Sequence, residues 1–410
     1  MKKSNSSPYR WIILLCIVPM IISTEMMWLS LAPISSTAEK YYNVSGLSIT
    51  LFSMSYMMMF ILFCLPASWI IDRYGYRTSL IIGALLTAVF GFTRAYFSDY
   101  FIIVMISQFL IAIGQPFLLN ISTKVPANWF PVSERATAAG ILTMAQYLGF
   151  ALPMVIAPVV AEQYGIKALL MTFALIAIIS AVVAIAFTRE KPKVPIYDDV
   201  ELKDEFSLLA LKKLMHNKPY FLTLLICFIS IGIFNTILTL IESILLPKGL
   251  EALQIGIIGA VFVIAGVVGA VLLPILSDHL KVRIPFFVVS LAILVPLYLG
   301  LTLATNFYFL VVLACTTGFL IMGVAPILFQ HGSEVAYPVQ EGTSLGLILL
   351  MGQISGILFV FLFEVLTETV DSTLPSMLFI VCITAFEIPM ALKMKESDLL
   401  KGSVDECLPM

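Results

Sequence analysis

Twelve apolar runs decide what this chain can fold into: residues 11–33, 46–71, 78–97, 100–123, 135–160, 166–188, 220–247, 252–275, 284–304, 307–329, 342–366 and 373–392. A hydrocarbon layer about 30 Å thick is crossed by roughly 20 apolar residues in helical form. Inside lipid each backbone N–H and C=O must be satisfied within its own segment, so these runs are predicted to be helices. With 60% hydrophobic and only 12% charged residues, a water-soluble globule of this length is excluded. The expected fold class is an all-α polytopic membrane protein with twelve transmembrane helices.

Charge sets the orientation. Placing both ends on the cytoplasmic side puts 19 of the 23 Lys and Arg there, leaving only Lys40, Arg94, Lys167 and Lys248 opposite. Residues 1–10 are expected to stay cytoplasmic, because the first run is too long for a cleavable leader and lacks a small-residue exit. The net charge of −2 carries no message about nucleic acid, and because every basic cluster has a topological role no nucleic-acid partner is expected. The six cysteines stand singly and read as packing residues. His216, His279 and His331 are expected in cytoplasmic loops with no shared metal, so no cofactor or metal is expected. No helix-borne nucleophile is paired with a base, and no enzyme is expected.

The runs fall into two related sets. F-P-V-S-E at 130–134 and M-A-Q-Y-L-G at 144–149 return as Y-P-V-Q-E at 337–341 and M-G-Q-I-S-G at 351–356, each pair offset by 207 residues. A membrane chain with one long internal repeat predicts two pseudo-twofold six-helix bundles with a site near the bilayer midplane. The expected divisions are an N-terminal bundle at 1–188, a charged, proline-dotted linker at 189–219, a C-terminal bundle at 220–395 and a tail at 396–410. Residues 206–214 offer a short amphipathic segment within that linker, although a plain solvated linker is the simpler expectation.

The repeat pairs Gln146 with Gln353 and Trp28 with Asn235, and these four are the candidate substrate-binding residues. A belt tryptophan at the membrane interface is the alternative for Trp28. Glu25 lies three residues before Trp28, and Glu242 seven after Asn235, on nearly the same face of a continuous helix. Both are candidates for cation or proton coupling, with a structural pair the alternative for Glu25. Gln115-Pro116 marks a place where the helical hydrogen-bond ladder is broken, which is tolerated where side chains or a cavity re-satisfy the backbone, while Gln108, Gln115 and Asn120 serve either helix–helix bonding or substrate. Gly149 lets a neighbour or a ligand approach beside Gln146, and Gly256, Gly259, Gly266 and Gly269 suit close helix packing. Glu387 reads as a structural pairing.

After the second run comes S-W-I-I-D-R-Y-G-Y-R, residues 68–77, and after the eighth a degraded copy, S-D-H-L-K-V-R. The first resembles the major facilitator superfamily motif G-x-L-x-D-R-x-G-R-[KR], matched at Asp72, Arg73, Gly75 and Arg77, with Ser68 in place of its glycine. An acid at a helix end facing bases across a tight turn makes a charge latch, so Asp72, Arg73, Arg77 and Asp278 are candidate gating residues.

Further stretches resemble one branch of that superfamily, the feline leukaemia virus subgroup C receptor-related transporters: W-L-S-L-A-P-I-S-S-T-A-E-K-Y-Y, Q-P-F-L-L-N-I-S-T-K-V-P-A-N-W-F, E-R-A-T-A, V-I-A-G-V-V-G and E-V-A-Y-P-V-Q-E-G-T-S-L-G. Short termini and a compact linker are similar to those of a bacterial relative, which implies a bacterial inner membrane. Members of the branch are associated with choline and ethanolamine uptake and with haem export. In choline-binding members a tryptophan and a tyrosine hold the trimethylammonium, with two glutamines nearby. Trp28, Gln146 and Gln353 match those positions, and Asn235 stands where the tyrosine would be. Half of a cation-π cage is thereby missing, and Glu25 and Glu242 would attract a smaller hydrogen-bonding amine instead.

The resemblance implies a secondary transporter in the lipid bilayer that moves a small organic amine or other cation by alternating access, and the repeat supports a monomeric functional unit without excluding dimers. A haem or amphipathic-metabolite exporter is the alternative, with Arg94 and Lys124 as its basic side chains. A transporter-like receptor is a lower one.

Overall fold

A computed structural model describes residues 9–191, 213–337, 339 and 341–396. The linker expected at 189–219 therefore lies largely outside the described residues, as does the tail beyond 396. The helices are α1 (Tyr9–Trp28), α2 (Ser35–Tyr42), α3 (Gly46–Tyr74), α4 (Tyr76–Tyr96), α5 (Phe101–Leu119), α6 (Ile121–Trp129), α7 (Val132–Phe187), α8 (Lys218–Thr239), α9 (Ile241–Leu245), α10 (Ala252–Leu280), α11 (Ile284–Leu303), α12 (Phe307–Val335), α13 (Glu341–Val370) and α14 (Leu374–Ala391).

Among the described residues, eleven helical stretches are long and apolar enough to cross a membrane. One of them, α7, runs for 56 residues, far longer than a bilayer is thick. It turns back at Gly165, whose φ of 82° and ψ of 169° lie where only glycine sits without strain. Counted as two arms, α7 brings the crossings to twelve, the number of apolar runs.

The chain divides into two compact units, residues 1–201 with 251–260 and residues 202–250 with 261–410. The first is built around a core that includes Ile13, Ile17, Tyr76, Leu80, Leu118 and Phe130. The second packs around Tyr220, Leu224, Phe287, Ile327 and Ile348. Close helix approach is glycine-dependent: a methyl group on Gly269 of α10 would strike the Phe319 carbonyl of α12.

Three kinds of contact occur in both halves, with donors at the offset of the sequence repeat. At the first, the Tyr41 hydroxyl donates to Asp99 at 2.8 Å, and Lys248 donates to the carbonyls of Thr302 and Ala304 at 2.7 and 2.9 Å. Both fasten a connector to the end of a neighbouring helix. Burial pulls the Lys248 ammonium below its ordinary pKa range. In the second, Ser23 donates to Ser180 and Ser230 to Glu387, each at 2.9 Å.

The third contact is a pair of helix caps. Glu190 accepts from the backbone N–H of Tyr76 at 3.2 Å and of Arg77 at 2.8 Å. Glu396 accepts from those of Arg283 and Ile284, both at 2.9 Å. A carboxylate on the free N–H groups at a helix start satisfies orphan donors and the positive end of the dipole together.

Pro116 sits inside α5, where its missing N–H interrupts the hydrogen-bond ladder without ending the helix, and the helix boundary comes at Asn120. Two local expectations need correction. The seventh run is not one helix: it breaks at Leu240 (φ −107°, ψ 23°), so Glu242 belongs to α9 and its spacing from Asn235 does not place both on one helical face. His331 is not in a loop. It lies in α12, 1% exposed, between Thr223 Oγ1 and the Lys395 carbonyl.

Candidate substrate site

In the first unit the candidate residues gather where α1 ends. Trp28 is the last residue of that helix, which gives way to a 3-10 turn at Ala32–Ile34 before α2 begins. The indole is 5% exposed, stacked on Tyr56 with centroids 6.3 Å apart and edge-on to Phe150 at 5.2 Å. Its Nε1 donates to the Ser53 carbonyl at 2.9 Å. This is a buried packing position, not an interfacial belt. Phe150 lies four residues after Gln146 on α7, so Trp28 meets that helix one turn beyond the glutamine.

Glu25, 0% exposed, faces α5, where Gln115 Nε2 donates to both of its carboxyl oxygens at 3.1 Å. Gly149 makes this possible, since a Cβ there would fall 2.9 Å from the Ile22 carbonyl. The neighbour that the glycine admits is α1 itself. A second buried polar group joins Arg94 to Gln108 Oε1 and, at 3.3 Å, to Ser30 Oγ, while Gln108 Nε2 donates to the carbonyls of Met27 and Phe52 at 3.3 Å. Asn120 donates to the Cys64 carbonyl and to Ser68 Oγ. The amides of α5 therefore serve helix–helix bonding.

In the second unit Asn235 is 3% exposed, with Nδ2 3.5 Å from the Gly352 carbonyl on α13. The next residue on that helix is Gln353. Glu242 is buried on α9, 2% exposed. Each unit thus sets its candidate residue from the first or seventh run within a turn of the glutamine on the fifth or eleventh.

Gln146 and Gln353 differ from every other glutamine in the helical interior. Both are half-buried at mid-helix, and among the described residues neither side chain takes a hydrogen bond. Gln108 is engaged through both its carbonyl and its amide nitrogen, and Gln115 gives its amide nitrogen to Glu25. An amide with two donors and a carbonyl left open is a ready polar contact for a small solute.

The candidate gating residues occupy the helix ends. Asp72 pairs with Lys124 of α6 at 3.1 Å, and Asp278 with Arg283 at 3.1 Å. Arg283 also pairs with Glu334 at 2.8 Å, which holds its guanidinium charged despite burial. Arg73 lies over the rings of Trp69 and Tyr74, and the Arg77 backbone is bound by Glu190. The caps Glu190 and Glu396 went unread in the sequence, where an acid just beyond an apolar run gives no sign of which helix it will meet. Among the described residues no group of His, Cys, Asp and Glu is arranged to hold a metal ion.

Residues 12–360 match the family model for the Major Facilitator Superfamily. Solute carrier family 49 member A3 of Xenopus tropicalis is 29% identical over 387 residues, covering 90% of this chain and 80% of that protein. Choline/ethanolamine transporter flvcr2a of Danio rerio is 29% identical over 373 residues, covering 85% and 79%. Choline/ethanolamine transporter FLVCR1 of Mus musculus is 29% identical over 389 residues, covering 86% and 69%. Among solved structures, a bacterial homologue of the human lysosomal transporter Spinster, inward-facing and unoccupied, superposes with a TM-score of 0.73 at 15% identity, covering 95% of this chain and 98% of the other.

Proposed function

The chain belongs to the Major Facilitator Superfamily, and from that premise we propose that this secondary transporter of a small solute takes a choline- or ethanolamine-like amine as its substrate. Two relatives carry choline/ethanolamine in their names. The observation that carries the reading is the symmetric pair of half-buried, unengaged amides, Gln146 and Gln353. Trp28 and Asn235 complete the proposed site, one at the very end of α1 and the other five residues before the break at Leu240. Interrupted helices with free backbone groups beside a ligand position are what alternating-access folds of this kind use.

Ethanolamine suits this set better than choline does, because an ammonium N–H can donate to glutamine and asparagine carbonyls where a trimethylammonium cannot. Glu25 and Glu242 are assigned to cation attraction or coupling, and Asp72, Arg73, Arg77 and Asp278 to gating. The bundles are taken as 1–188 and 220–395, with both termini cytoplasmic in a bacterial inner membrane and the monomer as the working unit. The haem reading loses its anchors, since Arg94 is fully buried against Gln108 and Lys124 is paired with Asp72.

The test is thermal stabilisation of the purified protein by ethanolamine, choline, other small amines and haem. Gln146→Ala and Gln353→Ala are expected to leave the ligand-free protein within about 0.5 kcal/mol of wild type, because neither amide is bonded. Both are expected to lose the shift caused by ethanolamine. A shift from haem alone, or an amine shift that survives both substitutions, overturns the assignment.

A further inference from the structure

Glu387 brings to its place in the fold a carboxyl group that helix packing does not require. It lies on α14, 1% exposed, and Oε1 accepts the Ser230 hydroxyl of α8 at 2.9 Å. Oε2 is buried without a hydrogen-bond partner. In the first unit the equivalent tie joins Ser23 and Ser180 at the same 2.9 Å, so a hydroxyl alone closes these two helices.

The surroundings are poor in charge. From α8 come Ser230 and Cys227, and from α11 Tyr298; the pairings found for Lys and Arg in this unit all lie elsewhere. The buried acid of α13, Glu364, stands near the opposite end of its own helix. Toward the cap of α11 the next titratable group is His331, bonded to Thr223, which precedes Cys227 and Ser230 by four and seven residues on α8. Glu387 is also four residues from the C-terminal end of α14, where the helix dipole is negative. An ionised carboxylate with one hydroxyl, no cation and an unfavourable dipole is far costlier here than a neutral one. A metal cation would need several oxygen ligands, and one hydroxyl and one carboxyl do not supply them.

We propose that Glu387 is a proton-binding site of the second unit. The carboxyl is held neutral in this conformation and gives its proton to water when a change in the unit wets Oε2. This rests on the transporter reading for its use, as a site for proton coupling, but not on the identity of the substrate.

The test is infrared spectroscopy of the full chain in vesicles at pH 7 without any transport substrate. One carbonyl band of a protonated carboxyl is expected in wild type and absent from both Glu387→Gln and Glu387→Ser, the second copying Ser180. Should Glu387→Ser fail to fold, the near-isosteric Glu387→Gln carries the comparison. Identical spectra in wild type and Glu387→Gln overturn the proposal, as does a band abolished by sodium at constant pH. Because no amine is present, failure of the amine reading leaves this result untouched.

Discussion

The two halves are alike where they are held together and unlike where they are polar inside. The cross-helix serine bond and the carboxylate cap each occur twice, 206 or 207 residues apart, and the connector tie recurs with its donor 207 residues on and different acceptors. Buried polar groups follow no such rule. Arg94, Gln108, Glu25 and Gln115 form an internal network in the first unit, and the residues 207 positions later are Leu301, Cys315, Gly232 and Met322. The second unit places its buried acids elsewhere, at Glu242, Glu364 and Glu387. Repetition thus marks scaffold, and departure from it marks places where the two halves have acquired separate chemistry. Gln146 and Gln353, the residues of the proposed site, are the exception: they are repeated, yet among the described residues their side chains hold nothing together.

The comparison breaks most sharply at Arg94. Gln108→Leu removes an acceptor from a fully buried guanidinium and should cost about 3 kcal/mol in chemical denaturation of the first unit. Adding Arg94→Leu, which copies Leu301 of the other half, should recover most of that loss. A smaller effect is expected at the neighbouring pair: Gln115→Leu strips Glu25 of both its hydrogen bonds and should cost about 2 kcal/mol, while Glu25→Leu together with Gln115→Leu costs less than Gln115→Leu alone. If the single and paired variants prove equal, the network is not the internal unit described here.

The repeated contacts should behave as equals. Glu190→Ala and Glu396→Ala are each expected to cost about 1 kcal/mol, and to add in the double variant because the caps lie in different units. The smallest effect concerns pH. Burial lowers the Lys248 pKa in the folded state, so the unfolded chain binds that proton more tightly. Stability should therefore rise with pH between the lowered value and the ordinary lysine value of about 10.4, and level off above it. Lys248→Met should flatten that alkaline rise in a pH series of denaturation curves.

Much of this architecture could be read from the chain because lipid imposes a simple rule on backbone and side chain alike. Twelve apolar runs became twelve crossings, and the pairing of Gln146 with Gln353 needed only the repeat. What the sequence hid depends on contacts between distant residues. The partner that Glu25 meets, Gln115, is 90 residues away in the sequence. Trp28 looked the same whether it lay at the interface or, as it does, between Tyr56 and Phe150. The breaks at Leu240 and Asn120 carry no proline or glycine to announce them. His331 resembled a loop residue until α12 proved to continue past it to Val335.

The caps have one more implication. Glu190 comes just after the last helix of the first half and Glu396 just after the last of the second, and each fastens its own half to the start of that half's third crossing. Every such clasp closes within its own stretch of sequence. A gene divided anywhere within residues 192–212 would encode two fragments that each keep their fastening, so the pair is suited to co-expression as separate polypeptides.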